Sequence, residues 1–226
     1  MSITVKTISA DEHLAFVAAR GQASFLQLPA WGKAKPEWRS ESVGFFDGDT
    51  LTGVGLVLYR QLPKLPRYLA YLPEGPVLDW DRPDVDAHLE ALVAHARRNK
   101  AFAVRIGPTV VHHRWLAPTV KAAIADPGIT ALSQATPDET TLTGTRVLRT
   151  LDHLGWQPQA EGHGFAAGQP KFNYQLRLTD AEGTALTDEQ LLKGMNQLWR
   201  RNIKKADKLG VTVPRGERAD LARFHH

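Results

Sequence analysis

The chain has 226 residues, 42% of them hydrophobic, with 28 Lys and Arg against 24 Asp and Glu and a formal net charge of +4. It has no cysteine, which removes disulfides, thiolate nucleophiles and cysteine metal sites and fits a reducing cytoplasm. No apolar run approaches bilayer length, the start MSITVKTISADEH lacks the apolar core of a secretion signal, and so small a net charge means that any polyanion site must be local.

Residues 11–19 read as a first short helix, and Pro29–Lys35 as a second, entered through Phe25-Leu26-Gln27. Ser42–Phe46 and Leu51–Leu62 are strand-like and joined by Asp47-Gly48-Asp49, a tight-turn signal. Tyr68–Leu72 is a third strand, and Gly75–Leu78 extends past a kink at Pro73. The spacing of Val85, Leu89, Leu92 and Ala96 predicts a helix over Asp84–Asn99. Phe102–Ile106 reads as a buried strand stopped by Gly107-Pro108, and Val120–Ile124 as a short helix. Thr143 is the expected N-cap of a helix over Gly144–Leu154, with Gly155 as its stop.

Gly162, Gly164, Gly168 and Pro170 mark a loop, and the domain boundary is expected there, with 1–168 as a first domain and 169–226 as the beginning of a second. In the second, Phe172–Leu178 reads as a strand, and Thr187 with Gln190 matches a capping box. Asn196 can cap the helix that follows, NQLWRRNIKKADKLG, in which Arg200, Lys204 and Lys208 recur every four residues beside Arg201 and Lys205. All five cations project from one side, against an apolar stripe of Met195, Trp199, Ile203 and Ala206. Such a face suits a polyanion, although a solvated surface has the same periodicity. Gly210 suits the C-terminal turn, and Val211–Val213 read as a short strand. So few residues are too small for an independent α/β domain, so the second is expected to be incomplete.

Several stretches could carry chemistry. Trp31-Gly32-Lys33-Ala34-Lys35-Pro36-Glu37-Trp38 sets two lysines between two tryptophans, which could stack on a base or pack in a core. Tyr71-Leu72-Pro73-Glu74-Gly75-Pro76 is a rigid interruption whose glycine permits close backbone approach; it serves equally as a strand connection. His112 and His113 are adjacent, so they should point apart as exposed loop residues and make poor co-ligands for a metal. Gln159–Gly164 matches the pyrophosphate loop of acetyl-CoA-dependent acyltransferases, but no helix start follows it to meet a phosphate. No pair of carboxylates can be assigned to acid–base work.

Taken together, these residues resemble the FemABX family of non-ribosomal peptidyltransferases that build peptidoglycan cross-bridges. The resemblance is carried by Phe25-Leu26-Gln27 leading into Trp31–Lys35, by Tyr68–Val77, by Gln169-Pro170-Lys171, and above all by Arg200–Val213. It implies an α/β (α+β) fold: an acetyltransferase (GNAT)-like mixed sheet flanked by helices, followed by the start of a second such domain. It further implies transfer of an amino acid from aminoacyl-tRNA, as co-substrate and without a cofactor or metal, to the stem peptide of lipid II or UDP-MurNAc-pentapeptide. The setting would be the cytoplasm, with peripheral contact at the inner membrane face and no DNA partner. By the same resemblance Lys33 or Lys35, with Trp31, should meet acceptor phosphates, and Tyr71, Glu74 and Gly75 should line the nucleotide or sugar side of the cleft. Arg200, Arg201 and Lys204 should face phosphates of the acceptor or of tRNA. Many relatives have an Asp where this chain has Gly107, so no carboxylate there can act as acid or base, and no catalytic residue is assigned. Arg105 is expected to be a buried ion-pair partner. An acetyl-CoA-dependent acyltransferase and a non-catalytic RNA- or phosphosugar-binding module are the alternative readings.

Overall fold

In the computed structural model, residues 2–20, 23–158 and 169–225 are described. The chain divides into two units, Met1–Pro170 and Lys171–His226.

The first unit is built on a mixed sheet. Its strands are β1 (Ile3–Thr7), β2 (Arg39–Asp47), β3 (Thr50–Gln61), β4 (Tyr68–Leu72), β5 (Val77–Leu78) and β6 (Ala101–Ile106). The order is β1-β2-β3-β4-β6, with β5 also on β3; every pairing is antiparallel except β4 with β6. The β2–β3 hairpin turns where Gly48 takes φ 59°, which an L side chain adopts at a cost. On one face lies α3 (Val85–Arg98), which buries Val85, Leu89, Leu92 and Ala96 at the predicted spacing. Those side chains join Ile3, Val5, Val43, Phe45, Val57, Tyr59, Ala70 and Leu72 in the core, where each large apolar side chain contributes about 1.5–3 kcal/mol by burial. On the other face, α1 (Ala10–Arg20) and α2 (Pro29–Lys33) pack against β2 and β3. A smaller sheet, β7 (His113–Arg114) with β8 (Glu139–Thr140), carries α4 (Ala117–Ala125) and leads into α5 (Leu142–His153). The mixed sheet flanked by helices is the α/β class expected.

Some local expectations need correction. β1 was not foreseen; its alternation covers only five residues. β6 is half-buried rather than buried, with Phe102 54% exposed, because it ends the described strand order. Thr141, not Thr143, caps α5: its Oγ1 accepts from Gly144 N at 3.0 Å, while Thr143 donates to Asp81. In the second unit, Phe172–Leu178 and Val211–Val213 are not strands. Alternation supplies a side-chain pattern, but a strand needs a neighbouring ladder, and among the described residues of that unit there is only an isolated antiparallel bridge, Thr179 with Ala185, just past Leu178. There α6 (Asp188–Gly194) and α7 (Gln197–Lys208) form with the predicted caps: Thr187 with Gln190, and Asn196 accepting from Trp199 N at 3.0 Å. A last turn, α8, spans Leu221–His225.

One buried and one half-buried titratable group, His13 and Glu41, tie the first unit to pH. Burial pushes the His13 imidazole down to about 4; its Nδ1 meets Ser42 Oγ at 3.1 Å and its Nε2 has no partner among the described residues. Burial alone would push Glu41 up, but hydrogen bonds from His95, Thr7 and Tyr59 outweigh it and hold the carboxyl at about 2. Both folded-state values lie below the unfolded ones, so each contribution is whole above the unfolded value and declines as the unfolded state takes up protons preferentially. Stability should therefore fall from pH 6.5 to about 4 through His13, then from 4.5 to about 2 through Glu41. Urea titrations across pH check this: His13→Leu should flatten the upper window and Glu41→Gln the lower.

Candidate substrate-binding site

β4 and β5 line up along the same side of β3: Leu58–Gln61 pair with Tyr71–Tyr68, and Gly53–Val54 with Leu78–Val77. Between them Pro73–Pro76 leaves the ladder, with Glu74 at φ 51° and the Gly75–Pro76 peptide cis. That gap is filled by a side chain. Gln27, fully buried, accepts from Leu56 N through Oε1 at 3.0 Å and donates to Pro73 O through Nε2 at 2.6 Å. Its amide stands in for the missing strand residue, satisfying two buried backbone groups at once. Gly75 packs directly on it; a Cβ there would lie 2.3 Å from Gln27 Cδ. The next loop is tied to the first, as Gly107 N donates to Gly75 O at 3.2 Å. Both loops leave the carboxyl ends of the parallel pair β4 and β6, where open α/β sheets commonly bind ligands.

Rings and cations gather beside these loops. Tyr71 lies 6.3 Å from Trp38, Arg60 sits over Trp38 at 5.6 Å, and Arg105 sits over Tyr71 at 6.0 Å. The Tyr71 hydroxyl accepts from Gln169 Nε2 at 3.2 Å. At the start of α2, Trp31 packs edge-on against Phe25 at 5.4 Å, and Lys35 Nζ lies 5.3 Å over the Trp31 ring, while Lys33 is exposed. Gln27 and Trp38, which flank the Trp31–Lys35 motif in sequence, bring its two ends to the Tyr71–Pro76 loop.

Tyr71, Glu74 and Gly75 thus form one loop region, bonded through Gln27 to the segment that carries Trp31, Lys33 and Lys35. The second unit carries Arg200, Arg201 and Lys204, all exposed on α7, with no ion pair to a carboxylate among its own described residues. Along the opposite stripe Met195, Ile203 and Ala206 are half-buried, but Trp199 is 63% exposed. Arg105 does not have the ion pair expected of it among the described residues; it is half-buried against Tyr71. Nor do His112 and His113 point apart: both are half-buried and their rings lie 3.7 Å apart, because His113 is held in β7 to Thr140 Oγ1 while His112 precedes the strand. Burial, then the charge of His113, holds His112 below the usual imidazole range. No group of three His, Asp or Glu suited to a metal occurs among the described residues. Gln159–Gly164 lies outside them. Gln27, Trp38 and Arg60 were not foreseen as parts of the site; the one clue to Gln27 was a polar residue ending an apolar entry to a Pro-led helix.

The FemAB family profile matches residues 8–226, through both units. The chain belongs to the FemAB family. Among its curated relatives are the lipid II:glycine glycyltransferases of Staphylococcus saprophyticus, 30% identical over 220 residues, and Staphylococcus haemolyticus, 29% identical over 220. Each alignment covers 96% of this chain and 45% of the relative. The crystal structure of FemX matches with a TM-score of 0.65 at 25% identity, over 97% of this chain and 47% of that one. This FemAB chain therefore spans about half the length of the curated relatives it matches. No helix among its described residues is long and apolar enough to cross a membrane.

Replacing Gln27 with Leu keeps the volume but strands the Leu56 N–H and the Pro73 carbonyl. Each unsatisfied buried group costs about 1–3 kcal/mol, so Gln27→Leu should lower unfolding free energy by about 2–5 kcal/mol in urea denaturation. Gly75→Ala should also destabilise, because its Cβ meets a fully buried amide with no room to withdraw.

Proposed function

We propose that this chain is the acceptor-binding part of an aminoacyltransferase that moves an amino acid from aminoacyl-tRNA to the stem peptide of a peptidoglycan precursor. The observation that carries the proposal is the family match across residues 8–226, with curated relatives named for glycyl transfer to lipid II. Residues 1–168 would form the acceptor-binding domain and 169–226 the beginning of a second. Lipid II and UDP-MurNAc-pentapeptide are the acceptors proposed, and the reaction would take place on the cytoplasmic side of the membrane.

The chemistry asks little of the protein. The donor ester is already activated; the acceptor amine attacks its carbonyl, the C–O bond to the tRNA ribose breaks, an amide forms, and the amine proton leaves with the hydroxyl. Positioning supplies most of what such a step needs. Support comes from the rigid loop pair at the ends of β4 and β6, which offers backbone and a tyrosine rather than paired carboxylates. Lys33 or Lys35 would meet acceptor phosphates, and Arg200, Arg201 and Lys204 would meet phosphates of the tRNA or the acceptor. Two polyanionic substrates fit a protein whose net charge is small and whose cations are concentrated locally.

Full-length protein incubated with charged tRNAs and with either acceptor should form an amino-acyl muropeptide, read by mass spectrometry. No product with any of a panel of amino acids would overturn the proposal. Lys33→Ala with Lys35→Ala should weaken binding of UDP-MurNAc-pentapeptide about tenfold or more in calorimetry, with an unchanged thermal melt; equal affinity would remove both lysines from the site.

A further inference from the structure

Arg105 and Tyr71 carry hydrogen-bond donors that no partner among the described residues takes up. They are register partners on the parallel strands β6 and β4, so both leave the sheet on the same face. That face is opposite α3, whose core partners Ala70 and Leu72 flank Tyr71. Arg105 is half-buried, and among the described residues no carboxylate lies within ion-pair distance of it and no hydrogen bond takes up its five N–H donors. A guanidinium so placed has given up part of its water without gaining an anion. The Tyr71 hydroxyl accepts from Gln169, which leaves its own O–H to donate. Beside them a Cβ on Gly107 would meet Glu74 N at 3.6 Å and Gln169 Cγ at 3.7 Å, ordinary van der Waals distances, so the glycine leaves a side chain's place unfilled without a clash. Glu74 shares this corner, yet its carboxylate makes no ion pair with Arg105. Side-chain donors outnumber acceptors, Gly107 puts no side chain between them, and the walls are fixed by the Gly107–Gly75 hydrogen bond.

From this we infer that Arg105 and Tyr71, beside the side-chain-free Gly107, form an oxyanion subsite, distinct from the lysines of the α2 segment, that takes a phosphate or carboxylate group of the acceptor. Arg105 supplies a planar fork that matches either oxyanion in a bidentate pair, and Tyr71 adds a third donor. The inference rests on the acceptor reading above, because a peptidoglycan precursor carries both groups.

Calorimetry on the full chain separates the sources with two probes, inorganic pyrophosphate and a free stem pentapeptide. At least one should bind the wild type, and Arg105→Gln should weaken that probe tenfold or more while Arg105→Lys keeps part of the affinity. Gly107→Asp should weaken it by a similar factor: a Cβ there meets no atom closer than 3.6 Å, and a carboxylate two residues from Arg105 on the same strand end would occupy the guanidinium. Both variants should melt within a few degrees of the wild type; if Arg105→Gln fails to fold, Gly107→Asp decides. Loss confined to pyrophosphate assigns a phosphate, and loss confined to the peptide assigns a carboxylate. Binding of neither probe, or binding indifferent to Gly107→Asp and Arg105→Gln, overturns the inference. Because bare anions are used, the subsite can fail while aminoacyl transfer succeeds, and transfer can fail while the subsite stands.

Discussion

The candidate site depends on one buried amide. Where β4 gives way to β5, the ladder on β3 opens, and Leu56 would be left with an unpaired N–H in the interior. Gln27 closes that gap from outside the sheet, accepting from Leu56 and donating to Pro73. The same contact lets Gly75 approach, fixes the loop that bears Glu74, and through Gly107 joins the two loops at the carboxyl ends of β4 and β6. An apolar residue could fill the volume but could not satisfy either backbone group, and a buried polar group without a partner is the costlier error. The arrangement also seats α2, so the segment carrying Trp31, Lys33 and Lys35 is anchored by the hydrogen bonds that shape the loop.

The first unit uses its cations in two ways. Arg82, Arg114 and Arg146 are spent on ion pairs with Asp84, Glu139 and Asp81, at 2.7–2.9 Å. Such exposed and half-exposed pairs contribute about 0–1 kcal/mol each and serve mainly to orient loops. Arg60, Arg105 and Lys35 instead lie over aromatic rings, with no carboxylate paired to them among the described residues. Rings hold a cation in place without neutralising it, which leaves its charge available to an anion. In the second unit α7 presents five cations on a helix whose ends are closed by Asn196 and by Gly210 at φ 68°. Both units thus offer unneutralised charge on locally rigid supports, as the proposed pair of phosphate-bearing substrates would require.

Local signals carried much of the fold. The β2–β3 hairpin follows from Asp47-Gly48-Asp49, α3 from its period, and the starts of α6 and α7 from Thr187 with Gln190 and from Asn196, because each is decided by residues a few positions apart. The family pattern was legible for the same reason, since its motifs are short and ordered. What stayed hidden depends on distant partners. Gln27 acts on Leu56 and Pro73, 29 and 46 residues away, and no periodicity announces such a bond. Arg105 read as an ion-pair partner because nothing in sequence shows that its guanidinium lies over the Tyr71 ring. The alternating runs at Phe172–Leu178 and Val211–Val213 read as strands, but side-chain alternation cannot supply a ladder.

Amide hydrogen exchange with and without UDP-MurNAc-pentapeptide tests the central claim, that a loop pair braced by Gln27 receives the acceptor. In the free protein the Leu56 amide should already exchange as slowly as its neighbours in β3. Adding the acceptor should slow exchange at Leu72–Val77 and at Ile106–Gly107. An unprotected Leu56 amide, or an acceptor that binds and leaves both loops unchanged, would contradict the account.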